Sequence, residues 1–569
     1  MAGEALIPRF GWIKQLGGAG LIKDVIAGLI LAILLVPQAM AYAQLAGLPP
    51  ETGLFAALAP PVLYALFGTS AFVSVGPVAL VSLVIGEAAT GAGIAPVPAA
   101  AIVAIEAGVL LTLLGSVNLG RLVNFVSEPV LLGFTAAAAF LIAFSQLPTL
   151  LGIVTPRAGD LPTALEGLVV NVGGFRPATA AIGIAALIAL LLINRYGAPL
   201  LWKIGVRPPL RQAIAKSLPL VVIIVAGVAA LGSNGAVDTV DAPEAGLPSI
   251  SIPSAGLSDW VALLPSSIAV AIIVFVTATA VAKSLAGTDR RHLNSSREAV
   301  ALGLSNIGAA LTGGYAVGAS LSRSALVEDS GARTAFASIV AAGVVLAVIL
   351  LLAPVLAYLP KAALAALVIS AVFGLIKLRD MRDVWRHDRV EGIIIGVTFF
   401  ATLSLGVQWG LAAGALAGLA NYLWFSSLPR VTRLGSDDGG ETYRSVDRDA
   451  VQLDTLPVLP VRIDRSIVFS NASHVEDRIF GLIARHDEIT CLIIDMRTVN
   501  TIDASGAAML RRLVERLYEM NIAAHIAEAH APVKRQLMGM DSRKVQFHRS
   551  IHDAVSSCGI APSEQIAPT

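Results

Sequence analysis

Two short stretches of small residues interrupt sequence that is otherwise apolar enough for a membrane: Phe72-Val-Ser-Val-Gly-Pro77 and Tyr315-Ala-Val-Gly-Ala-Ser320. Each opens a short apolar run. Each therefore predicts a few extended residues followed by a helix start, with Pro77 in a first helical turn. At membrane depth such irregular backbone persists only where protein buries it or where it lines a watery cavity. Two half-helices whose N-termini meet near the midplane would present bare N–H groups and roughly +0.5 charge each. Ser74, Val75, Gly76 and Pro77, facing Gly318, Ala319 and Ser320, then make an anion site without a formal cation. Gly76 and Gly318 let backbone approach a ligand closely, and the two serines add hydroxyls. Matching breaks in two halves of a chain point to a secondary transporter, here one that moves an anion.

The rest of the chain must hold those breaks in a bilayer, and its composition suits that task. Of 569 residues, 56% are hydrophobic and 14% charged, against about 25% charged in a soluble domain. Mean hydropathy is +0.77. The net charge of +1, with basic residues in short clusters between apolar runs, argues against a nucleic-acid partner. Both cysteines, Cys491 and Cys558, fall in the polar C-terminal part and read as unpaired thiols of a reducing cytosol, with no disulfide or metal-site spacing. Residues 1–20 lack the apolar core and small-residue cleavage site of a signal peptide.

About fourteen apolar runs lie between residues 21 and 426, several too short to cross ~30 Å alone. The expected spans are 21–46, 54–68, 76–89, 99–117, 127–148, 178–193, 217–232, 261–284, 298–312, 318–328, 333–355, 361–377, 390–405 and 409–426. Three basic loops fall on one side under this count. They carry Arg195, Lys203, Arg207, Arg211 and Lys216; Lys283, Arg290, Arg291 and Arg297; and Lys377, Arg379, Arg382, Arg386 and Arg389. The positive-inside rule makes that side cytosolic, together with the N-terminus. The acidic loop 232–260, with Asp238, Asp241, Glu244 and Asp259, then faces outward. Beyond Leu428 the pattern changes. Asp437-Asp-Gly-Gly440 reads as a polar linker. Strands are expected at 461–463, 466–470, 489–496 and 523–529, and amphipathic helices at 472–486, 505–520 and 533–540, a small cytosolic α/β domain.

Several separate motifs, in order, carry a family resemblance. They are Asp24-Val-Ile-Ala-Gly28, Pro37-Gln-Ala-Met-Ala-Tyr-Ala43, Leu45-Ala-Gly-Leu-Pro-Pro50 and Pro50-Glu-Thr-Gly-Leu-Phe55, with Tyr64 and Gly68-Thr-Ser70 behind. In the second half Glu298, Ala301-Leu-Gly303, Asn306, Ser322-Arg-Ser324 and Gly331-Ala-Arg333 follow. The chain resembles the SulP, or sulfate-permease, family of anion transporters with a C-terminal STAS domain. The resemblance implies about 14 spans arranged as a 7+7 inverted repeat with two half-helices, folded into core and gate domains. It divides the chain into a cytosolic segment 1–20, a transport domain 21–428, a linker 429–455, and the STAS domain with its tail at 456–569. It also implies a homodimer in the cell (inner) membrane.

Departures from the family pattern matter. Thr52 stands where the signature usually carries Tyr, and Ala71 where it carries a basic residue. Many members place a carboxylate in the eighth helix; here that run is Phe275-Val-Thr-Ala-Thr-Ala280, so Thr277 occupies the position. A threonine cannot change charge, which favours exchange or uniport over proton or Na⁺ symport.

The candidate site, taken with the resemblance, comprises Gln38, Ser74–Pro77, Thr277 and Gly318–Ser320. Gln38 has two readings: an amide donor to the anion, or a partner for carbonyls freed by the Pro37 kink. Thr277 and Thr279 either face the ligand or back-bond within their own helix. Arg323, in a short apolar helix, either sets the field for the anion or pairs with Glu328 or Glu298. Glu106, within Ala100-Ala-Ile-Val-Ala-Ile-Glu-Ala-Gly108, is either a displaced coupling acid or half of a polar contact between helices. In the STAS part, Ala504 follows Asp503 where soluble relatives carry a phosphorylated serine, so Asp503 and Ser505 read as an N-cap arrangement; a cytosolic partner surface is the other reading. Phosphate-loop, zinc-protease, Cys-x-x-Cys and nucleophile-elbow motifs are missing, so the chain reads as no enzyme, with no cofactor or metal. Expected partners are membrane lipid and a small anion, sulfate first, with bicarbonate or a C4-dicarboxylate and an anion channel of the same fold as alternatives.

Overall fold

The structure is a computed structural model. It describes residues 12–558 apart from 14–15, 119–126, 157, 206–209, 234, 242–245, 247, 249, 251–252, 286–293, 437–441, 447–456 and 487. Arg207, Glu244, Arg290, Arg291 and the linker Asp437–Gly440 therefore lie outside the described residues. Two compact units make up the chain, Met1–Gly418 and Leu419–Thr569.

The first unit begins with α1 (Gly18–Ala46), α2 (Pro50–Phe55), α3 (Ala59–Phe67), strand β1 (Val75–Gly76), α4 (Ala79–Ala92), α5 (Pro96–Ser116) and α6 (Glu128–Leu151). It continues with α7 (Leu161–Val170), α8 (Pro177–Lys203), α9 (Leu210–Leu231), α10 (Leu257–Leu285) and α11 (Ser295–Leu311). The last part holds strand β2 (Gly318–Ala319), α12 (Leu321–Asp329), α13 (Phe336–Leu356), α14 (Lys361–Val372), α15 (Leu378–His387), α16 (Arg389–Leu405) and the start of α17 (Val407–Ser427), within which the first unit ends. Eight described helical stretches are long and apolar enough to cross a membrane by length and composition. The half-helices α4 and α12 are shorter, 14 and 9 residues.

Small residues set the tightest crossing. A Cβ on Gly303 of α11 would lie 2.6 Å from the Gly108 carbonyl of α5 and 2.7 Å from the Thr112 nitrogen. Backbones this close exclude any side chain, and close backbone approach is what small residues supply where no hydrophobic force drives helices together.

Four local readings are corrected. The span 54–68 is two short helices, α2 and α3, because Pro60 and Pro61 start the second one. Pro77 lies outside its helix: Val78 is the N-cap and Ala79 the first helical residue. The third basic loop is largely α15, a helix whose charges are exposed while Met381 and Val384, three residues apart, are half-buried. Helix α7 has no counterpart among the expected spans; Asp160 caps it, accepting from the Thr163 nitrogen at 2.8 Å.

The second unit is a six-stranded sheet, in the order β4-β3-β5-β6-β7-β8. Its strands are β3 (Val431–Gly435), β4 (Arg444–Ser445), β5 (Val458–Ile463), β6 (Cys491–Asp495), β7 (Ala523–Ala527) and β8 (Val545–His548). Strands β5 to β8 are parallel neighbours, and β3 runs antiparallel to both β4 and β5. The stretch read as linker thus supplies two strands. Residues 466–470 form no strand; Ile467 makes only an isolated bridge to Ile502. Helices Ala472–Ile483 and Ala504–Glu519 bury their apolar stripes in one core with Leu459, Ile494 and Ile526. The other face of the sheet, with Cys491, Ile493 and Ala527, packs against helix Ile551–Ser557. There the cysteine reading is corrected: Cys491 and Cys558 are disulfide-bonded, with Cα atoms 6.3 Å apart although 67 residues separate them in sequence.

Candidate functional site

The two sequence breaks meet. Val75 pairs with Ala319 and Gly76 with Gly318 in an antiparallel two-stranded ribbon. The Ser320 nitrogen donates to the Ser74 carbonyl at 3.2 Å, and the Ser74 nitrogen donates to Ser324 Oγ at 2.9 Å. Both strands end at once because each runs directly into a helix, α4 after Val78 and α12 after Ser320. Neither N-cap is a strong anchor. Val78 has no side-chain oxygen, and Ser320 Oγ accepts from the Arg323 nitrogen at 3.4 Å. The other first-turn N–H groups of the two helices have no side-chain cap, so a ligand can take them.

A formal cation occupies this junction, contrary to the reading from the breaks alone. Arg323, 1% exposed, is the largest fully buried side chain of the described residues. Its Nη1 donates to the Pro77 carbonyl at 2.9 Å and to Gln38 Oε1 at 3.4 Å, and its Nε to Ser74 Oγ at 3.4 Å. Its Nη2 is buried with no hydrogen-bond partner. A Cβ built on Gly76 would sit in ordinary contact with that nitrogen, at 3.5 Å, so the absent side chain leaves this side of it uncovered. Among the described residues Arg323 has no carboxylate partner. Glu328 is exposed, and Glu298 is engaged with other groups. A buried guanidinium with an unused donor is costly unless something arrives to take it.

Three polar contacts hold the junction in shape. Asn306 of α11 clamps the strand before β2, accepting from the Val317 nitrogen at 2.9 Å and donating to the Val317 carbonyl at 3.2 Å. Glu298, one end of the same helix, accepts from the Tyr64 hydroxyl at 2.7 Å, the Thr69 nitrogen at 2.8 Å, and the Thr69 hydroxyl. Asp24 of α1 accepts from the Arg333 and Thr334 nitrogens at 2.6 and 3.1 Å and from the Thr334 hydroxyl at 2.7 Å. Glu298 and Asp24 each tie one half of the sequence to the other, more than 200 residues away.

The sulfate permease family model matches residues 21–398, and the STAS domain model matches residues 449–554. The chain belongs to the sulfate permease family. Sulfate transporter 4.1, chloroplastic, of Arabidopsis thaliana is 30% identical over 98% of this chain and 83% of its own length. Among solved structures, the murine Slc26a9 anion transporter shares the fold with a TM-score of 0.87 at 21% identity, covering 96% of this chain and 93% of its own. The transmembrane domain of a cyanobacterial bicarbonate transporter, BicA, aligns with a TM-score of 0.58 at 22% identity, over 71% of this chain and 98% of its own. This sulfate permease family member is thus a multi-pass membrane protein with the helical transporter fold and a C-terminal STAS domain.

Other expected residues of the permease lie at or away from the junction. Thr277 back-bonds within α10, donating to the Ile273 carbonyl at 2.6 Å. Its helical face still borders the ribbon, since Val274, one turn earlier, would stand 3.7 Å from a Cβ on Gly318. Thr279 is buried with no partner for its hydroxyl. Glu106 accepts from Ser267 Oγ at 2.6 Å, which is a contact between α5 and α10. Ser267 is ten residues from Thr277, about 15 Å along α10, so the structure does not bring Glu106 to the junction.

Sequence reasoning passed over Glu87. It lies on α4, accepts from the Val407 nitrogen at 3.2 Å, and lines a cavity of about 530 Å³ with Gln44, Thr90, Gln146 and Lys361. Its signal was the one used for Glu106, an acid inside an apolar run. In the STAS unit Asp503 is an N-cap: Oδ1 accepts from the Gly506 nitrogen at 2.8 Å and Oδ2 from the Phe469 nitrogen at 2.7 Å.

Proposed function

We propose that this permease is a secondary transporter of sulfate that works by alternating access and exchanges it for another anion. The observation that carries the reading is Arg323 Nη2, buried and unpartnered between two half-helix N-termini. A guanidinium and two helix ends together supply about two positive charges, the complement of a sulfate dianion. Bicarbonate would neutralise only half of that field. The planar guanidinium fork also suits a tetrahedral oxyanion better than a halide. The names of the curated relatives point the same way.

In this reading Arg323 and the N–H groups after Ser74–Pro77 and Gly318–Ser320 bind the anion. Gln38 holds Arg323 through Oε1 and turns its amide nitrogen to the ligand, and Thr277, back-bonded within α10, stands beside the ribbon. Arg323 stays charged at any physiological pH. No group at the site therefore carries a proton with the anion, which favours exchange. The chain performs transport and no covalent chemistry. It sits as a homodimer in the cell (inner) membrane, with its N-terminus, the basic loops and the STAS domain in the cytosol.

Labelled sulfate uptake into proteoliposomes tests this. Trans sulfate should accelerate uptake, while proton and Na⁺ gradients leave it unchanged. Acceleration by protons would overturn the exchange mode and turn attention to Glu87 and Glu106. Flux of bicarbonate or a dicarboxylate without sulfate would overturn the substrate.

Gly76→Ala gives a sharper test of the site. The new methyl meets Arg323 Nη2 at 3.5 Å and Leu35 Cδ1 at 3.6 Å, ordinary contacts that leave folding intact. It covers the donor, however, and one charge-assisted hydrogen bond is worth about 1.5–3 kcal/mol. The sulfate KM should rise about 10- to 100-fold with little change in thermal stability.

A further inference from the structure

We propose that, when its disulfide is reduced, the STAS domain binds one zinc ion through Cys491, Cys558, His525 and His548. Ligand atoms of the first two and of His525 all lie within 4.8 Å of one another. The sheet makes that cluster possible. Cys491 opens β6 and pairs with Ala523, two residues before His525 on β7, so the register puts Cys491 and His525 on one face. Helix Ile551–Ser557 crosses the same face and delivers Cys558 at its C-terminal end. His548 ends β8, and its Nε2 is 2.8 Å from His525 Nδ1. His548 lies outside the group of three whose ligand atoms are within 4.8 Å of one another, so its ring must turn from His525 toward the two sulfurs to complete a tetrahedral set.

The donor set selects the metal. Two thiolates with two imidazoles are a Cys₂His₂ set, which zinc takes in tetrahedral structural sites. Cys491 and His525 are buried, whereas Cys558 and His548 are half-buried and form the entry. Opening the disulfide takes two electrons and two protons from two molecules of a small thiol, which leave as their own disulfide. The two protein thiols then lose their protons as the ion binds. The bound ion replaces the disulfide as the link from helix Ile551–Ser557 to the sheet, so that link survives in a reducing compartment. The inference is independent of the transport reading.

The test uses full-length protein without a polyhistidine tag, reduced with a phosphine and exchanged into metal-free buffer. Titration with Co²⁺ should give one equivalent per chain, with the thiolate charge-transfer band and tetrahedral d–d bands, and Zn²⁺ should displace it stoichiometrically. Cys558→Ser should weaken Zn²⁺ at least 100-fold, and His548→Gln about 10-fold. Each change lies at the half-buried entry, where it disturbs the core least. Reduced wild-type protein, shown by thiol titration to carry two free thiols, that gives no thiolate band would overturn the proposal. So would undiminished Co²⁺ binding in Cys558→Ser, because the metal would then sit elsewhere.

Discussion

Arg323→Gln should lower sulfate transport at least 100-fold while leaving the protein folded. The substitution removes the guanidinium charge at the junction together with its buried, unpartnered Nη2 donor. Breaking a buried, hydrogen-bonded charge pair costs about 3–5 kcal/mol, and the ligand would bear that loss in the variant. Arg323→Lys should fall between, since an ammonium keeps the charge but cannot hold Ser74, Pro77 and Gln38 and still present a separate donor nitrogen to the anion. Stability in sulfate-free buffer should move the other way or not at all. The variant loses contacts to Pro77, Gln38 and Ser74, two of them long at 3.4 Å, but it also removes a desolvated, uncompensated guanidinium. Added sulfate should raise the melting temperature of the wild type, by up to about 2.7 kcal/mol of stabilisation at 100 times Kd, and leave the variant unmoved. A variant that keeps the wild-type sulfate KM would rule Arg323 out as a ligand.

The breaks themselves were legible because their physics is local. Glycine, serine and proline clustered inside apolar sequence can only mark backbone that leaves the helix, and Val75↔Ala319 and Gly76↔Gly318 are that backbone. The direction of Arg323 was not legible. It lies within the first turn of α12, but its acceptors come from α1 and from Pro77, 246 to 285 residues earlier in the chain. No local pattern encodes such a meeting. The same holds for Cys491 and Cys558, which come together only because parallel strands place a distant helix over β6. Helix α15 was hidden for another reason: five charges in ten residues look like a loop, and only Met381 and Val384 mark its buried side. Strand β3 was missed because Thr432 and Arg433 dilute its apolar alternation, and its place follows from pairing with β5.

Glu298→Ala should be among the most destabilising single changes in the first unit, by about 3–5 kcal/mol. The carboxylate is 2% exposed and takes the Tyr64 hydroxyl, the Thr69 nitrogen and the Thr69 hydroxyl. Alanine strands the buried Tyr64 hydroxyl away from water and leaves the two donors of half-buried Thr69 without their partner; each unsatisfied buried group costs about 1–3 kcal/mol. Glu298→Gln should cost less, about 1–2 kcal/mol, because the amide oxygen can keep Thr69 while the amide N–H donates to the Tyr64 oxygen instead. Tyr64→Phe removes one of the three contacts and should cost about 1 kcal/mol. Combining it with Glu298→Gln in a double-mutant cycle should return a coupling of 0.5 kcal/mol or more, on the scale of direct contacts. The readout is thermal unfolding of each full-length variant in detergent, with sulfate KM measured on whatever remains folded. That KM should stay near the wild-type value, because Glu298 holds the turn at residues 68–70 that leads into β1 and does not meet the anion. A raised KM with unchanged stability would place Glu298 in the binding machinery. An unchanged melting temperature in Glu298→Ala would mean that the tie between the two halves contributes nothing, and that the ribbon and Asn306 alone fix the junction.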